Sequence, residues 1–576
     1  MSSDVPAVAE ALVTHAEAVC DYADHLWRVV GNLSVPTDLL TDTRDTAKVT
    51  YSTEQMVRCF LYAEIREFSH NELADQLHTR PALCKQFGFT TPPTQQTLSE
   101  TWRALDDETQ RVIDESAIAI AHVAHENDVI SEALLPTSPD EDKRDTDEQA
   151  TEQDREWKRQ KATKTIELAR RYAFPVFDSG RADNRTYDDK AILEMVARIC
   201  TMGESAHGEG EYGWLTDDDT TASGDTILRV LKQFATPGTE EAQLTIDDFA
   251  GDDRMPAITE IRDTLMDSFE SATDHILGTI RGDDPFDDRH VTAAIDITYE
   301  RFWPTPWENK DEGIAKSTFP PMVSGYKHDG EVKRGYKYAT ITLVGDVAPI
   351  ILAVEPVKEN SVWEDEGAAS YAKGELVARL LDQAQQYVDI DQVMFDRGFH
   401  SHDVYIAVDE RDLTYLAPVP KYEDDLDAIE DIKSTEGVDA GVIHDVPFES
   451  DGGHRHTAEY IYAPVDTDGA DGNYGAYVTN RDHVAPEEID SVVNEYNRRR
   501  DIENQYKSIE EFLPRTSSTD YRVRLCNFVL ASLLYNLWRL TDYLIKVGIG
   551  EPIRSPPVIS ANTFVRALGD FLRRYA

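Results

Sequence analysis

Two aspartates follow short apolar runs that read as strands: Asp296 after Val291-Thr-Ala-Ala-Ile295, and Asp396 after Gln392-Val-Met-Phe395. A third acid, Glu503, lies in Tyr496-Asn-Arg-Arg-Arg-Asp-Ile-Glu-Asn-Gln-Tyr-Lys507, a stretch with helical spacing. A carboxylate beside an apolar strand is costly to bury unless it sits at the strand end or coordinates a metal. Magnesium prefers oxygen ligands and often bridges carboxylates and phosphates. Two carboxylates on neighbouring strands and one on a later helix can hold two such ions for phosphoryl transfer. Asp296, Asp396 and Glu503 are therefore the expected catalytic and metal-binding residues, with two ions of Mg²⁺ or Mn²⁺ as cofactor. A single strand-end aspartate usually caps a turn; the order of all three acids carries the metal reading.

Tyr496, Arg499, Glu503 and Lys507 recur at three- and four-residue intervals, so they share a helix face. Glu503 and Lys507 alone would make an ordinary surface pair, a reading that does not require Tyr496 on the same stripe. An arginine and a lysine on this helix could hold a phosphate. Arg397 and His400, in Asp396-Arg-Gly-Phe-His400, could approach it as well, although His400 serves equally as a structural residue. Gly398 permits a tight backbone after the strand.

The elements that must position these residues begin near 290. Tyr338–Val344 and Ile350–Val354 flank Gly345-Asp346, a hairpin signal. Glu375–Tyr387 is an amphipathic helix, and the Gln392–Phe395 strand follows it. Strand, strand, strand, helix, strand and a later helix is the ribonuclease-H-like order, in which strand ends face a helix. The expected fold is multidomain: an α-helical N-terminal half plus an α/β ribonuclease-H-like catalytic domain interrupted by a β-rich insertion.

The expected divisions are 1–135, helical and suited to DNA binding; 136–154, an acidic linker; and 155–285, helical with a basic first helix. After these come 286–402, the first part of the ribonuclease-H-like core; 403–487, the β-rich insertion, with an acidic loop at Glu423–Asp431; and 488–576, the second part of the core with the Glu503 helix and the C-terminal helices. In 1–135, Ser69-His-Asn-Glu72 reads as a capping box, and Thr94 opens another helix. Helix, turn and helix at this spacing suit DNA, though a plain helical bundle has the same spacing. Ser223 caps a helix over Thr226–Phe234.

The chain has 576 residues, too many for one core. Its formal net charge is −52, from 109 acidic and 57 basic residues. The excess is spread over segments with clear apolar periodicity, which fits a halophilic protein whose self-repulsion is screened within about 3 Å at 1 M salt. Two islands reverse the sign: Arg155–Arg171, and Tyr496 to the C-terminus with 13 basic and 8 acidic residues. A basic island beside a metal site fits a polyanionic substrate. The five cysteines, Cys20, Cys59, Cys84, Cys200 and Cys526, form no Cys-x-x-Cys pair, which argues against a disulfide framework and a cysteine zinc site. The start of the chain lacks the basic-then-apolar pattern of a secretory signal. Leu525–Leu540 contains Asn527, Asn536 and Arg539 and reads as a buried helix rather than a membrane span. No membrane partner and a cytoplasmic location are expected.

Residues 290–545 resemble the DDE transposases of insertion sequences, in the subgroup with a Tyr-x2-Arg-x3-Glu-x6-Lys signature, and are most similar to haloarchaeal members. The resemblance rests on Asp396-Arg-Gly-Phe and on Tyr496, Arg499 and Glu503. It implies metal-dependent DNA cleavage at element ends and strand transfer, with Asp296, Asp396 and Glu503 as the triad. Tyr496 and Arg499 would contact the DNA-end phosphate. The signature lysine would fall at Glu510; Lys507, one turn nearer, is the candidate replacement. The implied partners are double-stranded DNA, as element ends and target, and a second copy of the chain when assembled on DNA. A structure-specific nuclease on the same fold and a catalytically silent DNA-binding relative are the alternatives.

Overall fold

The computed structural model describes residues 5–575 apart from 136–142, 238–255, 282–289, 303–321, 358–372, 466–473, 498–507 and some shorter stretches. The chain divides into two units. One comprises Met1–Thr165, Gly278–Arg289 and Thr541–Ile559; the other comprises Ile166–Leu277, His290–Leu540 and Ser560–Ala576. Both units are discontinuous in sequence.

The first unit is helical. Its helices include Val5–Cys20, Thr53–Ile65, His70–Thr79, Pro81–Gln86, Gln95–Ala104 and Asp107–Glu126. Their apolar faces share one core, with Leu12, Val30, Phe60, Tyr62, Phe87 and Ile120 buried in it. The Phe60 ring meets Trp102 edge-on, with centroids 4.9 Å apart. The Ser69 capping box is formed: Ser69 Oγ accepts from the Glu72 N–H, and the Glu72 carboxylate accepts from the Ser69 N–H at 2.8 Å. Thr94 caps the Gln95–Ala104 helix with a single bond, its Oγ accepting from the Thr97 N–H at 3.2 Å. The acidic stretch expected as a linker is helical from Lys143, as part of one helix, Lys143–Leu168. Its Glu, Gln, Lys, Arg and Ala residues are good helix formers. Net charge alone therefore does not make a linker here.

The second unit carries a mixed sheet of nine described strands. They are β1 (Thr292–Arg301), β2 (Ser324–His328), β3 (Glu331–Val344), β4 (Ile351–Pro356), β5 (Gln392–Phe395), β6 (Thr414–Pro418), β7 (Gly441–Glu449), β8 (Arg455–Pro464) and β9 (Tyr474–Thr479). The long β3 pairs antiparallel with β1 on one side. On its other side the first part of β3 pairs with β2 and the later part with β4. The β3–β4 hairpin turns at Gly345, whose φ of 98° suits glycine. Strands β1, β5 and β6 are mutually parallel, and β9, β8 and β7 continue the sheet antiparallel. The segment expected as an insertion thus extends the main sheet, and it begins with a core helix, His402–Asp409, and the core strand β6. Within it, the expected acidic loop at Glu423–Asp431 is a helix, Glu423–Ser434. Its three leading acids favour the positive end of the helix dipole. Strand β7 is outermost and carries a bulge between Ile443 and Val446, where Asp445 has a positive φ of 55°.

Pleat alternation assigns the two faces. On one, Ala294, Met394, Leu416, Ile461 and Tyr477 cluster with Ile489 and Val492 of the Ile489–Asn497 helix. The Tyr521–Ile549 helix covers the same face further along: Phe528 stacks on Tyr338, with centroids 4.1 Å apart. The opposite face carries Glu355, which meets Arg262 of the Ile258–Arg281 helix at 2.5 Å and Arg379 of the Lys373–Ala384 helix at 3.2 Å. Among the described residues, no helix is long and apolar enough to cross a membrane.

Buried Asn536 explains how the apolar Leu525–Leu540 stretch accommodates a polar residue. Its Oδ1 accepts from the Ile351 N–H at 2.8 Å, and its Nδ2 donates to the Ile351 carbonyl at 2.9 Å. The amide thus satisfies both backbone groups at the start of β4. Asn536→Ala should cost about 2 kcal/mol, because buried backbone groups lose their partners. A urea-denaturation midpoint unchanged from the parent's would sink this assignment.

Candidate active site

The parallel ladder between β1 and β5 ends at the pair Ile295 and Phe395. Asp296, next on β1, and Asp396, directly after β5, follow that pair, so the two residues leave adjacent chains roughly 4.8 Å apart. Their half-buried side chains lie at the limit of the parallel pairing. Asp296 is not at the end of its own strand, contrary to expectation: β1 runs on to Arg301, paired with β3 from Asp296 and Thr340 to Arg301 and Gly335. The polar continuation remains in the sheet partly because Glu300, whose pKa burial raises, is held by Arg524 from the Tyr521–Ile549 helix. The boundary that matters at Asp296 is the end of its neighbour β5.

Asp396 caps a short turn over Arg397–Phe399, its Oδ1 accepting from the Gly398 N–H at 2.8 Å. A Cβ at Gly398 would lie 3.0 Å from that oxygen, so the loop backbone packs directly on the carboxylate. Arg397 beside it is exposed. Lys373, at the start of the Lys373–Ala384 helix, donates to the Gly398 carbonyl from across this turn. His400 takes the structural option: its Nδ1 is 2.9 Å from Tyr405 Oη, and burial, with the charge of His402 adding, lowers its pKa.

The Ile489–Asn497 helix reaches the same place. Tyr496 Oη donates to the Phe395 carbonyl at 3.2 Å, one residue before Asp396, and its ring lies 5.4 Å from that of Tyr477. One residue earlier, Glu495 accepts from Gln392 at 2.9 Å and from Arg481 at 2.7 Å, fixing the helix to the start of β5. Asp296, Asp396, Arg397 and Tyr496 are thus brought together. Arg499, Glu503 and Lys507 lie outside the described residues.

Beyond Asp296 on β1 opens a cleft of about 920 Å³ lined by Thr298, Arg301, Lys333, Arg515, Arg524 and Glu510, among others. The full lining has four basic residues and two acidic ones, Glu300 and Glu510, a local balance of +2 in a chain of net charge −52. Arg301, Lys333, Arg515 and Lys373 were not singled out from the sequence. Each comes from a different segment, and no local spacing links them. The two adjacent carboxylates offer hard oxygen donors on rigid neighbouring strands, a donor set that suits Mg²⁺ or Mn²⁺.

Residues 353–537 match the transposase DDE domain family. The transposase match includes Asp396 and Tyr496, spans positions 499, 503 and 507, and begins after Asp296. No curated protein sequence matches the chain. Among solved structures, the chain is similar to the cryo-EM structure of the piggyBac transposase synaptic complex with hairpin DNA, at 11% identity and a TM-score of 0.39. That alignment covers 72% of this chain and 79% of the other.

Proposed function

We propose that this protein is a DDE-type transposase that cuts DNA at the ends of an insertion sequence and joins those ends to a target. The observation that carries the reading is the side-by-side pair Asp296 and Asp396, with Tyr496 anchored one residue away, in a region largely matched by a transposase family. The strand order β4-β3-β1-β5-β6, with β1, β5 and β6 parallel, supports a ribonuclease-H-like core.

In this reading Asp296, Asp396 and Glu503 hold two divalent cations, Mg²⁺ or Mn²⁺. Such ions activate a water or a 3′-hydroxyl and stabilise the leaving oxygen of a phosphodiester. The chain's own contribution is positioning. The β1–β5 register fixes the spacing of two carboxylates, the Gly398 N–H orients one of them, and Tyr496 docks the helix that leads toward Glu503. Tyr496, Arg499, Lys507 and Arg397 contact DNA-end phosphates, and the basic cleft beyond Asp296 accepts the polyanion as it leaves the carboxylates. The partner is double-stranded DNA, on which two copies assemble, and the acidic composition fits work in concentrated salt.

The test uses purified protein in high-salt buffer with Mg²⁺ or Mn²⁺ and a labelled duplex carrying the element's own end. Metal-dependent nicking at the repeat boundary, followed by joining to a second duplex, is the expected result. Cutting without regard to the end sequence would replace the transposase with a nuclease. Binding without cutting would leave a silent DNA-binding relative.

A further inference from the structure

A second cluster of ligand-type side chains lies on the other face of the sheet. Tyr415 pairs with Val393, and Val393 with Ala293, which puts Tyr415 on the face opposite Asp296. Around Tyr415 gather Asp409, the last residue of the His402–Asp409 helix, His454, directly before β8, and His456, the second residue of β8. One ligand atom from each of the three lies within 4.8 Å of the others. His454 Nε2 is 2.8 Å from Asp409 Oδ2, and His456 Nδ1 is 3.9 Å from the same oxygen.

His456 makes this cluster more than a surface ion pair. Its side chain is only 6% exposed, and its Nδ1 is buried with no hydrogen-bond partner. Leaving such a group unsatisfied costs about 1–3 kcal/mol. The rest of the ring is fixed: Nε2 is 3.1 Å from Tyr415 Oη, and Phe448 stacks on it with centroids 5.2 Å apart. With the Nε2 proton given to Tyr415, Nδ1 directs a lone pair at Asp409. Asp409 is oriented as well, its Oδ1 accepting from Asn480 Nδ2 at 2.8 Å. Metal ligands characteristically have their outer atoms held in this way.

We propose that Asp409, His454 and His456 form a transition-metal site, with Zn²⁺ as the ion its chemistry favours. A zinc ion roughly 2.0–2.2 Å from each donor atom holds tetrahedral ligands about 3.4 Å apart, between the two separations given above. Two imidazoles and one carboxylate select zinc over magnesium. His454 and Asp409 are 30% and 22% exposed, so water completes the coordination from the open side. The ion exchanges the His454–Asp409 hydrogen bond for two metal bonds and supplies the missing partner of His456. It thereby ties β8 to the His402–Asp409 helix.

The test is a Co²⁺ titration of the full-length protein after chelator treatment, read by visible d–d absorption. One equivalent of Co²⁺ should give an intense band that Zn²⁺ abolishes and a hundredfold excess of Mg²⁺ does not. The band should be lost in His456→Ala and in the less buried His454→Ala, each checked for native circular dichroism, and retained in Asp396→Asn. An unchanged band in a folded His454→Ala protein would overturn the proposal. So would displacement by Mg²⁺, or loss of the band in Asp396→Asn alone.

Discussion

Asp396→Asn should lower the rate of metal-dependent DNA cleavage by about 10³-fold while leaving the protein folded. A carboxylate-held cation supplies several kcal/mol of charge stabilisation to a transferring phosphoryl group, and each 1.36 kcal/mol is a factor of ten in rate. Asparagine removes the charge but keeps an oxygen that can accept from the Gly398 N–H, as Asp396 Oδ1 does at 2.8 Å. The melting temperature should therefore move by no more than a few degrees. Cleavage within tenfold of the parent, measured under single-turnover conditions with Mg²⁺ and again with Mn²⁺, would remove Asp396 from the metal site.

The largest stability effect belongs to Glu355. Its carboxylate is 2% exposed and lies between Arg262 and Arg379. Burial raises its pKa, and the two guanidinium groups oppose that rise. Removing one member of a buried ionic set leaves the others uncompensated, at about 3–5 kcal/mol. Arg379 is 26% exposed and can recover some hydration, so Glu355→Ala should cost about 3 kcal/mol. Glu355→Gln keeps the acceptor and should cost less. Both are read as shifts in the urea midpoint of the sheet-bearing unit. Equal midpoints for parent and Glu355→Ala would show that the network contributes nothing. The effect should reach the carboxylate pair too, since Arg379 shares a helix with Lys373, which contacts the Asp396 turn.

Local physics was legible in the sequence, and long-range physics was not. Gln392–Phe395 reads as a strand because a short apolar run ends at a polar turn, and it is that strand. The Gly345 hairpin and the Ser69 and Ser223 caps are likewise local patterns that the fold realises. The placement of Asp296 beside Asp396 follows from a register, ending at Ile295 and Phe395, between strands a hundred residues apart in sequence, for which the sequence offers only the order of elements. The length of strand β1 is not legible locally, because Thr298, Glu300 and Arg301 are polar and the Arg524 that accommodates Glu300 lies 224 residues away. The charge-rich helices at Lys143 and Glu423 read as linker and loop because dense charge resembles a solvated segment, although their residues also favour a helix. The Asp409, His454 and His456 cluster was missed because its two histidines, only two residues apart, meet an aspartate from a separate helix.

The bulged outer strand bears on solubility. Strand β7 is the outermost of the described strands, and an open edge invites pairing with another chain. A chain of net charge −52 would ordinarily resist such association by repulsion, but at 1 M salt that repulsion fades within about 3 Å. In concentrated salt, protection would then rest on backbone shape. The break between Ile443 and Val446 interrupts the ladder, and Pro447 two residues beyond Asp445 has no N–H to offer an incoming strand. Where salt silences charge, the irregular edge keeps one molecule from templating the next.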